Sequence, residues 1–178
     1  PDFVPAVGTG THAVYILDMA NTGVGSVGGG GGAGGSGGKA GPPPPRGPGR
    51  WMQKKEGMSP EAMRYQVQVT DTPAGWVYRV FVGPGPDDYV DFDGFRNGVL
   101  LEAKGPNLAQ FIDDDLNPKP FFQGADRMLE QARSQSAAAR GGSIQWLIAE
   151  EKFARYLREV FRNDGLRNIE VIHIPTQP

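Results

Sequence analysis

Residues 90–105 read VDFDGFRNGVLLEAKG, and within them Asp91, Asp93, Glu102 and Lys104 stand among apolar neighbours. The flanking residues have strand character. A strand that buries an apolar face needs a partner or a use for every charge it carries. Asn97-Gly98 between the two apolar runs predicts a two-residue hairpin turn. With that turn Arg96 faces Val99, Asp93 faces Glu102 and Asp91 faces Lys104. Residues opposed in this way share a face, about 4.5–5.5 Å apart at Cβ. A three-residue turn would instead set Phe92 against Glu102 and disperse the acids; the Asn-Gly pair favours the shorter turn. Two adjacent carboxylates repel each other, so one should hold a proton or a cation should lie between them. Hard oxygen ligands suit Mg²⁺ or Mn²⁺. Such an ion polarises a phosphoryl oxygen and activates water. A neighbouring lysine can orient that water or stabilise charge developing on the phosphate. The chemistry expected of this stretch is metal-assisted phosphodiester hydrolysis.

The elements that must position these residues are legible on both sides. Ser59-Pro60-Glu61 predicts a helix start, with a hydroxyl cap, proline at the first position and an acid in the first turn. That helix should run to about Val69 and be broken by Asp71-Thr72-Pro73. Residues 76–82 (WVYRVFV) are β-branched and aromatic and read as a strand. Residues 83–88 read as a loop, and residues 89–95 and 99–104 as the two hairpin strands. From 121 to 139 the apolar spacing becomes helical, and Gly141-Gly142 closes that helix. Residues 143–149 (SIQWLIA) form the continuous apolar run of a buried parallel strand. Phe153, Tyr156, Leu157, Val160 and Phe161 make one face of a further helix, which Gly165 ends, and residues 169–174 form a last strand. The expected fold class is α/β: a mixed central sheet, an antiparallel meander plus helix crossovers, flanked by helices.

Asp93, followed on the next strand by Glu102-Ala103-Lys104, resembles the PD-(D/E)xK nuclease motif, and the element order resembles that fold's core. The FDGF of residues 92–95 and the LLEAKG of residues 100–105 resemble more specifically the restriction-endonuclease-like toxin domains of bacterial polymorphic toxins, group five. Tyr65-Gln66 on the first helix and Gln131-Ala132-Arg133 on the later one resemble other recurrent positions of that group. The resemblance spans about residues 57–175. It implies a DNase toxin delivered into rival bacteria by a type VI secretion system, acting in the target-cell cytoplasm and neutralised by a cognate immunity protein. It implies that Asp93 and Glu102 bind metal, that the Ala103 carbonyl assists, and that Lys104 is catalytic; Asp93, Glu102, Lys104 and Gln131 are taken together as the catalytic residues. The literal Pro-Asp dipeptide is missing, since Phe92 precedes Asp93. That leaves open whether Asp91 or Asp93 is the main ligand.

Other candidates surround this set. Arg127, Gln131 and Gln135 lie at i, i+4 and i+8 and form one stripe, facing either the site or water. Gln66 is a candidate for substrate contact. Lys152, Arg155, Arg158 and Arg162 lie opposite the apolar face of the last helix, where Arg155 and Arg158 are candidates for phosphate contact. With Arg127, Arg133 and Arg140 they form a basic face that an acidic immunity protein would cover. Asp113-Asp114-Asp115 reads as a solvated loop, with a second metal site as its alternative, and His173 as a core histidine. The rivals to a DNase are the same fold cutting RNA, whose 2′-hydroxyl nothing here reports on, and a non-catalytic secreted binding module. A binding patch has no need of a lysine among its acids.

Composition bounds the rest. Of the 178 residues, the first 50 hold 16 of the 27 Gly and 7 of the 16 Pro. Residues 1–22, with HAVYILDMA at 12–20 as a short strand or helical turn, are expected to be the tail of an upstream module. Residues 23–50 are expected to be a flexible linker, and residues 51–178 the folded domain. The first residue is Pro and no signal peptide is visible, as expected for the C-terminal piece of a longer protein. The absence of Cys excludes disulfides, thiolate metal sites and a cysteine nucleophile. Two His exclude a histidine-rich metal site. No apolar run approaches the roughly 18 residues of a membrane span. Beyond residue 50 there are 15 basic and 18 acidic residues, so a strongly basic nucleic-acid coat is absent.

Overall fold

The Asn-Gly turn forms as its chemistry demands. Asn97 has φ 53° and Gly98 φ 82°, both positive, as a two-residue turn matched to strand twist requires. The register follows, with Arg96 opposite Val99, Phe95 opposite Leu100 and Gly94 opposite Leu101. The computed structural model describes residues 47–55 and 57–178. Strands β1 (Arg50–Gln53), β2 (Trp76–Phe81) and β3 (Tyr89–Phe92) form one antiparallel sheet in that order. Strands β4 (Gly94–Arg96), β5 (Val99–Lys104), β6 (Ile144–Ile148) and β7 (Ile169–His173) form a second sheet in that order. In it β4 runs antiparallel to β5, while β5, β6 and β7 are parallel. The helices are α1 (Pro60–Thr70), α2 (Gly124–Ala138) and α3 (Glu151–Asn163), with a short 3-10 turn at Ala109–Phe111.

The mixed α/β architecture agrees with the sequence, with three differences. The run 89–95, expected as one strand, is two. Its first half pairs with β2 and its second with β5, and Asp93 is the residue at which the chain leaves one sheet for the other. Strand β1 is an addition: its RWMQ carries no alternation, and pairing with β2 makes it a strand. The α2 helix begins at Gly124 rather than at residue 121, because Phe122 turns back to stack on Phe111 at 4.9 Å between ring centroids. The end of the expected linker also takes part in the fold. The Gly49 N–H donates to the Tyr78 hydroxyl at 2.9 Å, and Arg50 lies opposite Arg79. The upstream segment and the linker through residue 46 lie outside the described residues.

The faces of β5 decide what meets what. Leu101 and Ala103 pack with Tyr65 and Val69 of α1 on one side. Leu100, Ile144, Trp146, Ile148 and Val171 pack with Ala132 of α2 and Phe153, Leu157 and Phe161 of α3 on the other. Successive side chains of a strand point to opposite faces, so Glu102 and Lys104 point with Leu100 toward α2. Ser59 caps α1 by accepting the Ala62 N–H at 3.1 Å. Tyr65 ties the helix to the sheet by donating to the Ile174 carbonyl at 2.8 Å, and burial pushes its pKa well up, which keeps it a donor.

The C-terminal end of α1 rests on Gly94. A Cβ at that glycine would lie 2.8 Å from Thr72 Oγ1 and 3.0 Å from Thr70 Cβ. Both threonines are β-branched, buried and unable to swing aside. Gly94→Ala is therefore expected to destabilise the domain by about 1–3 kcal/mol through overpacking. Urea unfolding measures it, and Thr72→Ala in the same chain should recover part of the loss. An unchanged midpoint would mean that α1 does not press on this strand.

Candidate active site

The neighbours of β5 supply the remaining groups of the site. On the β6 side the Leu100 N–H donates to the Ser143 carbonyl at 3.0 Å. Alternation then turns the Ala103 N–H the other way, toward the β4 side. The β4 ladder has already ended there, its last pair being Gly94 opposite Leu101. The Asp93 carboxylate takes the vacant ladder position and accepts the Ala103 N–H at 2.7 Å. Asp93 is thus fixed against the residue between Glu102 and Lys104. It has left the regular ladder and does not stand in it as a paired residue opposite Glu102.

Glu102 and Lys104 form a sealed pair, with Nζ 2.6 Å from Oε1 and side-chain exposures of 1% and 4%. Helix α2 closes over them with the two glutamines of its stripe. Gln131 Nε2 donates to Glu102 Oε1 at 2.7 Å, and Gln131 Oε1 accepts from Lys104 Nζ at 2.9 Å. Gln135 Nε2 donates to Glu102 Oε2 at 2.6 Å. Donors meet both Glu102 oxygens, the environment of a carboxylate. Trp146, opposite Glu102 in the parallel register, donates its indole N–H to Gln135 Oε1 at 2.9 Å. Its ring centroid lies 4.8 Å from Lys104 Nζ. Sequence reasoning passed over Trp146 as core. The available signal was a tryptophan, whose N–H needs a partner when buried, inside a strand whose other buried residues are aliphatic.

Asp91 does not join this set. Its strand pairs with β2, so it lies opposite Arg79 and not opposite Lys104. Its carboxylate is held by Arg79 at 2.7 and 3.0 Å and by Lys54 at 3.0 Å. The hydrogen bond to Asp91 raises the Arg79 pKa further. The expected apposition of Asp91 and Lys104 is wrong because the chain changes sheets between Asp91 and Gly94. Gln66 is buried in α1 at 2% exposure. It lies one turn before Thr70, whose hydroxyl donates to the Gln66 carbonyl at 2.8 Å. Arg127 is exposed, two turns up the stripe from Gln135.

The basic face is partly neutralised. Lys152 pairs with Asp114, Arg158 with Glu151 and Arg133 with Asp164. Hydrogen bonds from Lys152 and Arg133 hold the Asp114 and Asp164 carboxyls below their usual pKa. Arg155, Arg162 and Arg140 are exposed. The aspartate loop is tied down locally, with Asp113 accepting the Asn117 N–H and Asp114 paired with Lys152. His173 is half-buried and lies 3.1 Å from Glu151, so it is a rim residue rather than a core histidine.

Among the described residues no three Asp, Glu or His side chains converge as a metal cluster. The donors present still fit a hard divalent ion. Asp93 and Glu102 are buried carboxylates, and Mg²⁺ is commonly bound through one or two carboxylates with water completing its shell. No helix among the described residues is long and apolar enough to cross a membrane.

A sequence model described as restriction endonuclease fold toxin 5 matches residues 62–151. The match takes in Asp93, Glu102, Lys104, Gln131, Gln135 and Trp146. No curated protein sequence matches the chain. Since the Asp91 carboxylate is committed to Arg79 and Lys54, Asp91→Asn is expected to cost stability, on the order of 2 kcal/mol for charged hydrogen bonds. Nucleic-acid cleavage by the folded variant should stay within about threefold of wild type. Denaturation and plasmid cleavage measure the two. Loss of cleavage with folding intact would return Asp91 to the metal-binding set.

Proposed function

We propose that this chain, which belongs to the restriction endonuclease fold toxin 5 family, is a metal-dependent nuclease that hydrolyses phosphodiester bonds of DNA as an antibacterial toxin. The observation that carries this reading is the sealed Lys104–Glu102 pair, gripped by Gln131 and Gln135 and adjoined by Asp93. Removing two charges from water costs several kcal/mol per ion. A surface module that only met a basic partner would leave its acids exposed and would need no buried lysine.

Asp93 and Glu102, with the Ala103 carbonyl, would hold Mg²⁺ or Mn²⁺, which when bound supplies the positive charge that polarises the scissile phosphate. Lys104 supplies the second positive charge. An ammonium has three N–H donors. Two are given to Glu102 and Gln131, and the third would serve the attacking water or a phosphate oxygen when substrate is bound. Gln131 keeps Lys104 and Glu102 at fixed separation. Arg127, on the same line of α2 at the surface, suits a flanking phosphate, as does exposed Arg155. Arg158 donates to the Val171 carbonyl and to Glu151, which commits it to the fold first.

The toxin family supports a wider setting. A nuclease of this kind needs a cognate immunity protein in its producer, here one with an acidic surface that covers Arg127, Arg155 and the mouth of the site. Residues 1–46 would be the end of a delivery module and its linker, with a type VI apparatus carrying the chain into the target-cell cytoplasm.

Incubating the purified domain with plasmid DNA and with RNA, in Mg²⁺ and in chelator, tests the activity and the substrate together. DNA cleavage abolished by chelator is expected, and cleavage of RNA alone would reassign the substrate. Glu102→Gln and Lys104→Met should each lower cleavage by at least about 10²-fold with circular dichroism unchanged. Full activity in either folded variant would remove the assignment. A chain beginning at Gly47 should cleave as well per molecule as the full chain, while one beginning at Lys54 loses β1 and should be less stable. Loss of cleavage on removing residues 1–46 would show that the upstream segment belongs to the nuclease.

A further inference from the structure

We propose that Trp146 is a positioning residue of this site: its indole N–H sets which way round the Gln135 amide lies and thereby holds Glu102 for the reaction. The inference rests on the nuclease reading for its consequence and on hydrogen-bond polarity for its mechanism. A glutamine amide has a donating end and an accepting end, and its orientation is assigned from its partners. An indole N–H can only donate. With Trp146 Nε1 2.9 Å from Gln135 Oε1, the oxygen must face Trp146, and Nε2 must face Glu102 Oε2, 2.6 Å away. Trp146 and Gln135 are both fully buried at 0% exposure, so no bulk water can replace the indole.

The other amide is oriented in the same way. Lys104, likewise donor only, meets Gln131 Oε1 and turns Gln131 Nε2 toward Glu102 Oε1. Glu102 is thus held by two amides, each oriented by a donor-only group on its own strand or the next. Lys104 belongs to the chemistry, whereas Trp146 acts through Gln135. Without the indole N–H, Gln135 Oε1 is left unpaired in a dry site. The amide then gains by rotating toward other partners, and a rotated amide sets its oxygen against a Glu102 oxygen.

Three variants test the lock. Trp146→Phe keeps an aromatic ring beside Lys104 and removes the N–H. Gln135→Met keeps the length of the side chain and removes the amide. The third variant combines them. Each single variant should lower kcat on DNA by about 10–100-fold, the scale of a lost supporting hydrogen bond at a metal site, with KM within about threefold. The combined variant should be no slower than the slower single one, because without the amide there is nothing to orient. A merely structural tryptophan would give losses that multiply and follow the unfolded fraction. Multiplying losses, or a Trp146→Phe enzyme within about twofold of wild type, would overturn the proposal.

A second measurement does not depend on cleavage. The Trp146 indole resonance, identified by its disappearance in Trp146→Phe, should shift upfield in Gln135→Met as its acceptor is lost. If Trp146→Phe does not fold, the resonance is assigned by elimination from Trp51→Phe and Trp76→Phe. An unmoved resonance would overturn the lock. A wild-type domain that cleaves neither DNA nor RNA would overturn the nuclease reading, while the indole shift would still decide whether Trp146 orients Gln135.

Discussion

Placing Lys104 and Glu102 inside a sheet sets the terms for the rest of the molecule. The desolvation of two charges is offset only if the pair is close and its remaining hydrogen-bonding capacity is filled. Three neighbouring elements supply what is needed. Helix α2 must turn two glutamines one turn apart toward β5, β6 must bring a donor alongside Glu102, and the chain before β4 must deliver Asp93. The parallel register meets the second demand by putting Trp146 opposite Glu102. Helical periodicity meets the first, since positions i and i+4 share a face. The apolar residues around these groups, Leu100, Ile148 and Ala132 among them, exclude the water that would otherwise weaken the pair.

The break at Asp93 is the second structural device. A straight strand through residues 89–96 would have placed Asp91 and Asp93 on one face and kept both in a ladder. Instead the chain leaves β2 after Phe92 and joins β5 at Gly94. Asp91 stays behind with Arg79 and Lys54. Asp93, at the bend between the two ladders, uses its carboxylate to accept the Ala103 N–H. Gly94 permits this because the end of α1 comes too close for any side chain. One residue without a Cβ thus couples the packing of α1 to the placing of an acid on the opposite side of the hairpin.

The outer charges follow a different logic. Lys152 and Arg133 answer acids on neighbouring segments and Arg158 answers Glu151 of its own helix, and exposed pairs of this kind contribute little to stability. The exposed arginines of the expected basic face that lie outside these pairs are Arg127, Arg140, Arg155 and Arg162.

The amino-acid sequence by itself determined the local features. Asn97-Gly98 needs positive φ at both positions and so specified the turn and its register. Ser59-Pro60-Glu61 specified the start of α1. The apolar run around Trp146 and the amphipathic spacing of residues 153–161 specified β6 and α3. Asp93, Glu102 and Lys104 were legible as a chemical group because charges seldom stand in apolar strands. Tertiary structure alone decided which acid joins Glu102, since Asp91 and Asp93 have the same parity in one run and differ only in the strand each half pairs with. It also decided that Trp146 would serve Gln135, and that Lys152 and Arg133 would be spent on Asp114 and Asp164. The reason is common to all of these. Periodicity encodes the face a side chain takes, whereas its partner is set by which distant segment packs there, and that information lies in contacts between elements rather than in any one of them.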